Sequence, residues 1–217
     1  MGWKFIILFA INLSLWGVPY TEEVLSGEFA TYMYNIPGER TIRAGATQKE
    51  LYTMALERVR KEAEEIFAGM IFGYRFTYIP GDKLRAVHDN IKITPIAQHL
   101  SGKLIPYAEQ VQNGTLYIKF RYFLSAPEHV KRSAWEDSTS YMTTGKGKAK
   151  NQNDAFIQAL RTAIRHYFRS LTASKPKRAS GLLFLTDVPQ QFFSEGLHGY
   201  TLSVGIYAAT YDTYKVY

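Results

Sequence analysis

The chain has 217 residues, 26 Lys and Arg against 19 Asp and Glu, a formal net charge of +7, and no cysteine. That length suits one domain or two small ones with a real core. The absence of cysteine excludes disulfides, thiolate metal sites, cysteine nucleophiles and a lipid-modified cysteine. The basic balance is compatible with an anionic lipid, an acidic glycan or nucleic acid as partner, and equally with solubility alone.

The first eighteen residues read as a secretory signal peptide: Lys4, then the apolar run Phe5 to Ile11 continuing through Leu13, Leu15, Trp16 and Val18. The run is shorter than the ~20 apolar residues of a bilayer-spanning helix, and Asn12 and Ser14 interrupt it. Leu15 and Gly17 make a poor small-x-small cleavage site, so an uncleaved N-terminal anchor is the alternative. An exported chain without disulfides fits a bacterial envelope better than an animal extracellular space.

The expected organisation is a signal peptide over 1–18, a first α+β module over 19–100, a hairpin and connector over 101–137, and a second α+β module over 138–217. The fold class is α+β: two related modules, each an amphipathic helix packed on a small, mainly antiparallel sheet. In the first module, residues 28–34 and 40–45 read as extended, with the turn Pro37-Gly38 between them. Thr47 and Glu50 form a capping box. Leu51, Ala55, Val59, Ala63, Ile66, Phe67 and Met70 follow at helical spacing. Glu57, Arg58, Arg60, Lys61, Glu62, Glu64 and Glu65 are assigned to the solvated face, and Gly69 to the stop. A strand through Ile71–Ile79 sets Phe72, Tyr74, Phe76 and Tyr78 on one side, and Pro80-Gly81-Asp82 turns the chain.

Asn113-Gly114, between Tyr107–Gln112 and Thr115–Ser125, predicts a type I′ hairpin. It outweighs the glycosylation acceptor Asn113-Gly114-Thr115 that overlaps it. Leu116, Ile118, Phe120, Tyr122 and Leu124 form the core-facing row. Residues 127–138 read as a short helix or connector.

In the second module, residues 139–149 are extended and lead to a weaker cap, Asn151 and Asp154. Ala155, Phe156, Ala159, Leu160, Ala163, Tyr167 and Leu171 form the helical stripe. An offset of 104 residues maps Thr47 onto Asn151 and Phe67 onto Leu171, which suggests a duplication. Residues 174–181 read as an exposed basic loop. Tyr200–Ala209 is the last clear strand, with Leu202, Val204 and Ile206 on one face.

An extended segment, small residues (Ala44-Gly45-Ala46; Gly145 to Ala149), an alanine-bearing amphipathic helix and aromatic-rich strands together resemble the N-terminal domain of the flagellar assembly protein T and a related small outer-membrane lipoprotein family. The resemblance covers about Thr41–Tyr78 and Thr144–Ala209. It implies exported α+β modules without catalytic machinery, and it transfers no functional residue. The lipoprotein cysteine is missing, which puts direct lipid anchoring out of reach.

No nucleophile elbow, phosphate-binding lysine loop or His-Glu-x-x-His occurs. His88-Asp89, Glu128-His129 and Glu136-Asp137 are adjacent pairs that would serve a hydrolase only if a cleft brought them together. No catalytic residue, metal ligand or cofactor is expected. Arg161, Arg165, His166, Tyr167 and Arg169 come closest to a basic-aromatic nucleic-acid surface, a partner that export argues against. The most suggestive polar feature is Gly145-Lys146-Gly147-Lys148-Ala149-Lys150. If extended, it aligns Lys146, Lys148 and Lys150 on one face, just before a helix N-terminus that favours anions. A solvated edge strand, protected from aggregation by lysine, explains the same residues. The functional expectation is an exported, non-enzymatic envelope protein, periplasmic or outer-membrane associated. It would contact envelope proteins or a second copy of itself, in a surface or flagellar assembly. The alternative is a module binding an anionic ligand (phosphate, lipid head group or acidic glycan), with nucleic acid unfavoured.

Overall fold

The computed structural model describes residues 23–33, 46–138, 141–171 and 176–213. The signal segment, the turn at Pro37-Gly38, the strand over 40–45, the small residues Ala44 and Gly45, and Lys175 lie outside them.

The elements follow in the order β1 (Val24–Tyr32), α1 (Gln48–Ile71), β2 (Tyr74–Ile79), β3 (Asn90–Pro95), β4 (Lys103–Gln112), β5 (Thr115–Phe123), α2 (Ala126–Glu136), β6 (Tyr141–Ala149), α3 (Gln152–Leu171), β7 (Arg178–Leu185), β8 (Gln190–Ser194) and β9 (Leu197–Asp212). The fold is α+β, and every strand pairing named below is antiparallel. One sheet has the order β1-β5-β4; the other is six-stranded, β3-β2-β7-β9-β6 with β8 added to β9.

Each long helix covers a sheet, as expected, but the strands sort differently from the sequence segments. β1 leaves its own segment to pair with β5, so the hairpin at Asn113-Gly114 becomes the body of the first sheet. β2 pairs with β7, so residues 74–79 and 178–185 share the second sheet. The physical cause is one core: Phe67 of α1 with Phe29 and Tyr122 beneath it is continuous with Phe168 of α3 and Phe76 and Val204 beneath that helix. Two separate modules of this size would each bury less of their surface.

Local chemistry explains the element ends. At the start of α1, the Thr47 amide donates to Glu50 Oε2 at 2.7 Å, and Thr47 Oγ1 accepts from the Glu50 amide at 3.3 Å. The predicted stripe from Leu51 to Met70 is buried. The stop is Gly73, at φ +74°, rather than Gly69. Gly69 lies inside the helix, where an added Cβ would stand 2.3 Å from the Tyr74 hydroxyl. Asn113 and Gly114, at φ 51° and 73°, make the expected type I′ turn, and Leu116 through Leu124 are buried in alternation.

The proposed correspondence between the two helices fails at the end of α3: Phe67 is fully buried, but its counterpart Leu171 is 38% exposed. Ile164 and Phe168 take the core positions instead. Residues 178–181 are strand rather than loop, with Ala179 buried against Tyr78 and Tyr211 of the neighbouring strands.

Candidate anion-binding face

β6 is an edge strand of the six-stranded sheet, and its two faces do different work. Gly145 and Gly147 point at α3. A Cβ on Gly145 would come within 2.0 Å of the Ala159 carbonyl, and one on Gly147 within 2.3 Å of the Ala155 carbonyl. The small stripe Ala155, Ala159 and Ala163 completes the close approach of helix to strand. Because side chains alternate along a strand, the residues between these glycines must project to the opposite face. Lys146 and Lys148 do so and are exposed, which retains the expected alignment of these two.

Their ammonium groups converge on one ring: Lys146 Nζ lies 4.9 Å and Lys148 Nζ 5.5 Å from the centroid of Phe192 in β8. Both distances fall within cation–π range. The ring is seated over Gly199, where a Cβ would meet it at 2.2 Å. Register brings Thr201 and Gln190 beside Lys146, and Gly199 and Phe192 beside Lys148. None of the ion pairs among the described residues uses Lys146, Lys148 or Lys150. Lys150 is exposed in the bend after the strand, ahead of the Asn151–Asp154 cap, whose Asp154 amide donates to Asn151 Oδ1 at 2.7 Å.

The outer edge of β6 is closed. The Lys148 amide donates to Gln158 Oε1 at 2.9 Å, and His166 Nδ1 lies 3.0 Å from the Thr144 carbonyl oxygen. An added strand is therefore disfavoured there, and the open face is what the strand offers.

The other candidate residues are dispersed. Asp89 pairs with Arg165 of α3. Glu128 is buried at the start of α2, accepting from Tyr122 Oη at 2.6 Å, the Ser101 amide at 2.8 Å and the Ser125 amide at 2.9 Å. Burial raises its pKa, but these hydrogen bonds outweigh it and hold the carboxyl below its ordinary value. His129 faces Glu23, and Glu136 pairs with Arg132. Among the described residues no three His, Asp or Glu side chains gather as metal ligands would. On α3, Tyr167 is buried in the core stripe, and of Arg161, Arg165 and Arg169 only Arg169 is exposed, so no basic-aromatic surface is laid out there.

Two features were not legible as such. Glu62 is not on the solvated face of α1. It is buried, and it accepts hydrogen bonds from Tyr200 and from Gln191, whose own Oε1 accepts from the Ala30 amide at 2.7 Å. Burial pushes its carboxyl up to about 8, against the opposing pull of the hydrogen bonds from Tyr200 and Gln191, with the Glu65 charge adding to the rise. The second feature is a cleft of about 290 Å³ between α2 and the open sheet face, floored by Trp135 and Phe184, whose rings stack at 5.0 Å. Spacing gives no hint of it, since α2 and β7 are far apart in sequence.

No solved structure matches the chain. An "Uncharacterized protein" of Treponema pallidum (strain Nichols) is 25% identical over 169 residues, covering 74% of this chain and 71% of that one. A protein-family model matches residues 17–214, nearly the whole chain, and the chain belongs to that family.

Proposed function

We propose that the protein is an exported, non-enzymatic component of a bacterial envelope that acts by contact, and that the Lys146–Lys148 face receives an anionic partner. The observation that carries the reading is the pair of ammonium groups held over the Phe192 ring, on a sheet face without a helix above them and without an acidic partner. Two like charges that share one ring repel, and a bound anion relieves that repulsion while retaining the aromatic contact. Export rests on the apolar run behind Lys4, and envelope assembly, including a flagellar one, on the family resemblance of the helix and strand pattern. Envelope proteins and a second copy of the chain are the proposed macromolecular partners.

The test is calorimetric titration of the full chain with inorganic tripolyphosphate. Replacing Lys146 and Lys148 together by alanine should weaken binding about five- to tenfold and flatten its salt dependence. Equal affinity and salt dependence in the variant would remove the site. Cross-linking in intact source cells addresses the wider reading, which predicts recovery with envelope components; recovery of an isolated monomer would count against it.

A further inference from the structure

The apolar cleft and the lysine pair lie on one face of one strand. Met142 lines the cleft, and Met142, Thr144, Lys146 and Lys148 alternate along the same side of β6. At ~3.3 Å per residue, the strand backbone at Lys146 is about 13 Å from that at Met142. Between them the surface is short and polar, with Thr144 beside Ser203. The cleft floor is Trp135 and Phe184, with Met70 and Leu185 beside them. Its volume of about 290 Å³ sits at the bottom of the range for drug-sized ligands and suits a narrow apolar group.

The cleft has a cation of its own, Arg132, but Glu23 at 2.6 Å and Glu136 at 3.3 Å neutralise it. An anion would gain little there and would have to displace two carboxylates. Lys146 and Lys148, by contrast, have no acidic partner among the described residues. Apolar shelf and free positive charge are thus separated by about the length of a short alkyl chain. That division matches a molecule with an apolar tail and an anionic head.

We propose that the cleft and the lysine row form one site for a single-chain anionic amphiphile of the alkyl phosphate class. The chain lies against Trp135 and Phe184, and the phosphate sits between Lys146 and Lys148. The proposal rests on the anion-binding reading above and supplies its ligand class.

The protein has three tryptophans, Trp3, Trp16 and Trp135. In the full chain carrying Trp3→Phe and Trp16→Phe, Trp135 reports alone. Dodecyl phosphate with a terminally dibrominated chain, kept below its micelle concentration, should quench Trp135 fluorescence saturably, because bromine must approach the indole. Lys146→Gln with Lys148→Gln should raise the half-quenching concentration about tenfold. Met142→Lys, at a position already 60% exposed, should abolish quenching while leaving tripolyphosphate binding intact. The brominated alcohol of the same length should quench far less.

Absence of quenching with tripolyphosphate binding retained would overturn the amphiphile and leave the anion site standing. Quenching indifferent to the lysines, or equal for the alcohol, would overturn the two-part site. Failure of both ligands to bind would overturn both readings together.

Discussion

Glu62 shows how one residue departs from its surroundings in sequence. Glu64, half-buried, and Glu65, exposed, pair with Arg60 and Lys61 on the same helix, whereas Glu62 faces inward to Tyr200 and Gln191. Its carboxyl keeps its proton to about pH 8 in the folded chain, against an ordinary value of 4.5. The folded state therefore binds that proton more tightly, and stability falls as pH rises from 4.5 to 8. Glu62→Gln keeps the acceptor for Tyr200 and cannot ionise. The variant should be more stable than the parent at pH 8 and differ less at pH 5, as urea unfolding midpoints would reveal. A larger stability loss at pH 8 than at pH 5 would show that the ionised carboxylate is the stabilising form. Charge alone placed Glu62 with its neighbours, since periodicity puts it beside Ala63 at the margin of the apolar stripe.

At the scale of elements, the contact between β6 and α3 depends on backbone approach. Gly147 sits where a Cβ would stand 2.3 Å from the Ala155 carbonyl and 2.4 Å from the Ala159 amide nitrogen. Gly147→Ala must push the helix off the strand, an overpacking that typically costs about 1–3 kcal/mol. Thermal unfolding should show a clearly lowered midpoint, and the displaced Lys146 and Lys148 should lose part of their tripolyphosphate affinity. Unchanged stability would mean that helix and strand have slack at this contact. The Gly-Lys-Gly-Lys pattern was visible in the sequence and so was its alternation. Why glycine is needed became clear only when the alanine stripe of α3 was laid across it. The hairpin, by contrast, is local: Asn113-Gly114 alone specifies the turn, and Leu116 through Leu124 read out their own face.

For the whole molecule, two buried carboxylates act on opposite limbs of the pH profile. Glu128 has a folded pKa below its ordinary value, so its contribution is present above 4.5 and lost as pH falls through the folded value. Glu62 loses its contribution as pH rises from 4.5 towards 8. Between the two limbs, on the mildly acidic side, both contributions are present together. A urea series across pH 3 to 9 should peak there, and Glu62→Gln should shift the peak towards neutrality. A parent maximum at pH 8 would contradict the buried, protonated Glu62. The same residue ties the molecule together. From α1 it meets Tyr200 of β9 and Gln191 of β8, and Gln191 in turn holds Ala30 of β1. The joint between the two sheets is thus polar, set beside a continuous apolar core.

By itself the sequence determined what short-range physics controls. The capping box at Thr47 and Glu50, the apolar stripes, the Asn113-Gly114 turn and the alternation of Lys146 and Lys148 all follow from spacings of two to four residues. The α+β class follows from them. Tertiary structure decided which strands pair, because β1 and β5, like β2 and β7, are separated in sequence by several other helices and strands, and no local pattern specifies a partner so distant. It also decided the burial of Glu62, the seating of Phe192 under two lysines, and the cleft beside Trp135. Each needs side chains from elements far apart in sequence, and only the shared core brings them within reach.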